Sequence, residues 1–87
     1  MTEDQKLCSA VDRFTAAMKA KLLDKYRECG WTGWDGESFL ETNRCLLRLA
    51  DHVRRLRDGQ PQEVDVANFC MFLWNYRTQK ENVKAAS

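Results

Sequence analysis

An acid and an amide stand one helical turn apart, Asp65 and Asn68, at the head of the most apolar stretch of the chain, Asp65 to Tyr76. Residues at i and i+3 share a helical face, so both would point from an element otherwise built for burial. A buried polar pair is costly unless it finds partners. Metal chemistry is one answer, because carboxylates projecting from facing helices can hold a divalent cation inside a bundle. The candidate ligands near that layer are Asp51, His52, Glu63 and Asp65, with Asp51 and Asp65 as the candidate catalytic carboxylates. Anion chemistry is the other answer. Arg44, Arg48 and Arg55 recur at steps of four and seven along one helix, and guanidinium groups grip phosphate oxygens bidentately. With Asn68, Trp31 and Trp34 they form the candidate ligand-binding set. Against it stands the plain reading of a solvated face on which Asp51 pairs with arginines three and four residues away.

Other chemistries find little footing. One histidine and no nucleophile elbow leave no catalytic triad, and neither a P-loop nor a dinucleotide glycine pattern occurs. Cys8, Cys29, Cys45 and Cys70 show no Cys-x-x-Cys spacing, which argues against structural zinc. With no apolar leader after Met1, they read as reduced thiols in a cytoplasmic protein.

Helices must position these groups. Leu7, Val11, Phe14, Met18 and Leu22, extended by Tyr26, recur at helical spacing and predict a first helix over 3–28. Cys29 to Gly36 holds three glycines and predicts a loop over 29–36. Its Trp31 and Trp34 either lid the end of a bundle or offer a stacking surface, and packing outweighs stacking because tryptophan buries a large area wherever it lands. A second helix is predicted over 38–57, with Ser38 and Glu41 as a capping box and Phe39, Leu46, Leu49, Val53 and Leu56 on its buried face. After the turn Asp58-Gly59-Gln60-Pro61, a third helix is predicted over 62–80, followed by a fraying polar tail. Its centre, Phe69 to Trp74, is apolar on nearly all sides, so covering it calls for a second subunit.

The expected architecture is therefore all-α and single-domain over 1–87, a three-helix antiparallel chain that completes a helical bundle as a homodimer. Its 87 residues, 44% hydrophobic and 31% charged, suit one small folded domain rather than a disordered chain. The net charge of +1 offers no global attraction for nucleic acid or membrane. The apolar run is about half the ~20 residues of a membrane span.

Asp65-Val66-Ala67-Asn68-Phe69, the leucine-bearing helix before it, and Lys25-Tyr26-Arg27-Glu28-Cys29-Gly30-Trp31 together resemble short phage-type members of the MazG-like all-α nucleoside triphosphate pyrophosphohydrolases. The resemblance covers roughly Lys19 to Tyr76. It implies a Mg²⁺ site built from a Glu-Glu-x-x-Glu motif on one helix and a Glu-x-x-Asp motif on the next. Laid on that pattern, Asp51, His52 and Arg55 stand where three glutamates would, Gln62 replaces the fourth, and Asp65 matches the aspartate. Glu63 lies one residue out of register, rotated by about 100°. A guanidinium in such a site repels the cation and competes for the carboxylates. The leading expectation is thus a catalytically degenerate domain, without a cofactor, that binds a nucleotide phosphate or a host protein as a phage-type inhibitor would, with Asp65 paired to Arg55. The alternative is an active Mg²⁺-dependent pyrophosphohydrolase. Nucleic-acid binding through the arginine face comes third.

Overall fold

The computed structural model describes residues 1–86 of the backbone and side chains through residue 82. It is all-helical, with α1 at Glu3–Cys29, α2 at Glu37–Leu40, α3 at Arg44–Arg57 and α4 at Glu63–Ala86. No helix among the described residues is long and apolar enough to cross a membrane.

The first helix follows its stripe, and its ends are chemically explicit. Thr2 caps it, its hydroxyl accepting from Gln5 N–H while the Gln5 side chain accepts from Thr2 N–H, a reciprocal capping box. At the other end Gly30 takes the left-handed conformation at φ 62° and returns its N–H to the Tyr26 carbonyl at 2.7 Å.

The predicted second helix is two. α2 starts after Gly36, so Ser38 lies inside it rather than capping it, and no capping box forms with Glu41. The break falls at Thr42 and Asn43, where Asn43 sits at φ 64°. Asparagine tolerates that region better than most residues, and neither it nor threonine holds a helix strongly. Glu41 is also drawn outward. Its Oε1 accepts hydrogen bonds from Tyr76 Oη at 2.7 Å and from Lys80 Nζ at 2.5 Å, both on α4.

The break resets the phase of α3. Cys45 is fully buried, whereas Leu46 and Val53, expected inside, are 47% and 46% exposed. A small residue at the contact lets α3 approach α4 closely, and the Cys45 thiol points at the Phe69 carbonyl 3.7 Å away. Burial pushes that thiol's pKa up, with nearby Cys70 adding to it. The last helix also exceeds its prediction, running through Ala86 rather than stopping at Lys80, as a segment free of glycine and proline allows.

α4 is the common wall. α1, α2 and α3 all pack on it, while no Cα of α1 comes within 8 Å of α3. The core is small, comprising Leu40, Cys45 and Phe72. Phe72, 2% exposed, carries most of it. Four aromatic rings surround it, those of Trp31, Trp34, Phe39 and Phe69, with centroids between 5.3 and 6.3 Å. The tryptophans of the glycine loop thus pack against the middle of α4.

Removing the Phe72 ring by Phe72→Ala costs about 3–5 kcal/mol, most of the stability a domain this size holds. The expected result is loss of cooperative thermal unfolding by circular dichroism, together with red-shifted tryptophan emission.

Candidate functional site

Because α1 and α3 flank α4 without meeting, a groove opens between them, floored by α4 and closed at one end by Trp31. Two adjoining cavities occupy it, of about 410 Å³ and 490 Å³, sharing Lys25, Trp31, Arg48 and Phe69.

The first cavity contains the Asp65–Asn68 face. Its walls bring Lys21 and Lys25 of α1 opposite Arg48 and His52 of α3, and the acids Asp24 and Glu28 of α1 line it as well. Asp65 does find a cation, but it is Lys21, with Nζ 2.6 Å from Oδ2. The expected Asp65–Arg55 pair does not form. Arg55 instead reaches Asp51 one turn back at 2.8 Å, and Arg54 binds the other oxygen at 2.6 Å. The hydrogen bond from Arg54, joined by the charge of Arg55, holds the Asp51 carboxyl below the usual aspartate range. Arg55 is therefore taken up on the outer face of α3, as the solvated-surface reading expects.

Asn68 is 5% exposed. Its Nδ2 donates a long 3.5 Å hydrogen bond to the Met18 carbonyl, and its buried Oδ1 has no partner. An orphaned amide oxygen weakens a fold. Its presence beside a cavity marks a position not optimised for stability alone.

The second cavity differs in charge. Its charged lining groups are Lys25, Arg44 and Arg48, with no carboxylate among them, and Trp31, Phe39 and Phe69 supply apolar walls. Lys25 Nζ lies 5.3 Å from the Trp31 ring centroid, a cation–π contact that draws the ammonium toward the cavity rim. Arg44 enters because it opens α3 directly after the left-handed Asn43. The Glu41 contacts with Tyr76 and Lys80 tie the other side of this bend to α4.

Of the ligand-binding candidates, Arg44, Arg48, Asn68 and Trp31 come together in the groove. Arg55 does not, and Trp34 turns to a separate apolar cavity of about 230 Å³ beside Leu22 and Met71. Lys21 and Lys25 escaped the sequence reading. Their spacing of four residues on the flank of the α1 stripe was the available signal, but the partner helix could not be inferred from it.

The metal candidates are dispersed. Asp51 and Asp65 are each held by cations, and Glu63 is exposed. His52 Nδ1 lies 2.6 Å from Gln62 Oε1, and its ring packs on Phe69 with centroids 5.0 Å apart. No three His, Cys, Asp or Glu side chains converge among the described residues. A donor set already neutralised by lysine and arginine does not fit a Mg²⁺ ion, which needs several free oxygens.

No protein-family model matches this sequence, and neither do the curated proteins or the solved structures.

Two measurements test this geometry. Asn68→Leu removes the orphaned oxygen and replaces it with a group of similar size, so the expected melting temperature is unchanged or higher. A clear drop would show that the amide is satisfied in solution. The Glu41 carboxyl is held below its usual range by the hydrogen bonds from Lys80 and Tyr76. Its contribution is therefore complete above the ordinary glutamate pKa and lost as the pH falls through the lowered one. The Lys80 ammonium is held above its usual range, chiefly by its hydrogen bond to Glu41, so its contribution is lost only as the pH rises through that raised value. The protection of the α2 amides, taken relative to the intrinsic exchange rate at each pH, should fall at acid pH in the wild type, and in Glu41→Gln it should already be low at neutral pH.

Proposed function

We propose that this chain is a binding domain whose groove takes a phosphate-bearing ligand of nucleotide type. The observation that carries the reading is the cavity whose charged lining is Lys25, Arg44 and Arg48, without a carboxylate and beside the Trp31 and Phe39 rings. Two guanidinium groups and an ammonium suit the oxygens of a phosphate, and flat apolar walls suit a ring attached to it. The adjoining cavity, with Asn68 and the Lys21–Asp65 pair, extends the space available to the rest of the ligand.

In evolutionary terms the proposal is a MazG-like domain whose metal site has given way to cations. The resemblance at Asp65 and Asn68, the all-helical architecture and the engagement of Asp65 by Lys21 support it. The same proposal includes a homodimer, in keeping with the small core of the single chain. A protein ligand, the second target of a degenerate domain, would draw on the exposed apolar residues of α3 rather than on this groove.

Calorimetric titration with nucleoside triphosphates and inorganic phosphate in EDTA tests the reading. The expected result is metal-independent binding that weakens with salt and falls about 10-fold to 100-fold in Arg48→Ala or Arg44→Ala, the range for a lost charged hydrogen bond. No heat with any phosphate compound would remove it. Pyrophosphate release that requires Mg²⁺ and disappears in Asp65→Ala would replace it with the hydrolase alternative.

A further inference from the structure

The stripe that defines α1 is covered along only half its length. Met18 and Leu22 are half-buried against α4, but Leu7 and Val11 are each 61% exposed and Phe14 is 40% exposed. No residue of this 27-residue helix is buried. At 1.5 Å per residue it is about 40 Å long, and its first turns extend beyond the body. The shape records this, since the radius of gyration is 15.2 Å against about 12 Å for a compact chain of this length. An ordered, capped helix with an uncovered apolar stripe and a minimal core behind it needs a second surface.

We propose that this surface is the same arm of a second copy, packed antiparallel. Leu7, Val11, Phe14 and Met18 follow the alternating four and three spacing of a coiled-coil seam. With the two-fold axis between Asp12 and Arg13, Val11 faces the partner's Phe14 at the centre, and Leu7 meets the part of the partner's Met18 that α4 leaves exposed. The flanking positions are Cys8, Ala10, Thr15 and Ala17, small side chains that let two helices approach closely. In this register Asp12 lies level with the partner's Arg13 and Asp4 with the partner's Lys21, while the one like-charged match, Lys6 with the partner's Lys19, falls off the seam on the solvent side.

Trp74 is a single exposed ring on α4, and the apolar residues exposed on α3 are a poorer choice for self-pairing. Leu46, Leu47 and Val53 on α3 are also exposed, but Arg44, Arg48, Arg54, Arg55 and Arg57 share that helix with Asp51 as its one acid. Pairing two copies there would set like charges together. This proposal takes from the preceding section only the existence of a dimer. It also moves the interface from α4, where the apolar run of the sequence had suggested it, to α1.

Sedimentation equilibrium between about 1 and 200 μM decides the matter, because an interface of this limited length is expected to dissociate in the micromolar range. Wild type should be dimeric at the upper end. Val11→Glu should be monomeric with unchanged helicity and unchanged phosphate binding, while Val53→Glu remains dimeric. If Val11→Glu fails to fold, a Val11→Cys variant mixed with a Phe14→Cys variant, each with serine at Cys8, Cys29 and Cys70, should form the mixed cross-link under mild oxidation. A wild type monomeric throughout overturns the proposal, as does a dimer lost in Val53→Glu but kept in Val11→Glu. A monomer that binds phosphate would sink the arm pairing alone, and a dimer that binds none would sink the anion site alone.

Discussion

The fold depends on the burial of one ring. Phe72 projects from the middle of α4 into a cage of Trp31, Trp34, Phe39 and Phe69, drawn from the glycine loop, α2 and α4 itself. Each of those rings is only partly buried, and together they close over one that is almost completely so. Aromatic side chains bring large buried area from few residues, which is how a chain with so few buried positions can fix a loop and a one-turn helix. Three of those rings, Trp31, Phe39 and Phe69, also line the groove, so the packing that stabilises the fold also shapes the site.

The electrostatics of the groove follow from how the acids are used. Asp51 is consumed on α3 by Arg54 and Arg55, and Glu41 is turned to α4 by Tyr76 and Lys80. Asp65, paired with Lys21, stays in the first cavity with Asp24 and Glu28, and none of these acids lines the second. What remains unopposed in the second cavity is positive, although the chain carries a net charge of only +1. A local field can thus arise without a global one when carboxylates are engaged elsewhere.

The sequence made much of this readable, and physical reasons separate what it did not. The stripe from Leu7 to Tyr26 gave α1 nearly to the residue, because period and punctuation are local signals. The turn at Asp58 to Pro61 gave the α3–α4 boundary for the same reason. The break at Asn43 was hidden by an apolar pattern that runs across it, and one shifted phase exchanged Cys45 for Leu46 in the core. The Asp51–Arg55 pair, one turn apart, was legible as a surface pair. The partner of Asp65 was not, since Lys21 lies 44 positions away and only the crossing of α1 over α4 brings it near. Asn68 was legible as a polar intruder, and its unpartnered oxygen was not.

The separation of α1 from α3 also bears on how the chain reaches this structure. α3 and α4 are joined by a short turn, so their packing closes a small loop at little entropic expense and can form early. α1 has no such neighbour in sequence. It must find α4 across the glycine loop, and its anchors there, the Lys21–Asp65 pair and the Met18–Asn68 contact, join positions far apart along the chain. Contacts of that separation cost more chain entropy to close than those within the α3–α4 hairpin. The helix bearing the longest apolar stripe is therefore the one whose docking on α4 carries the largest loop-closure cost.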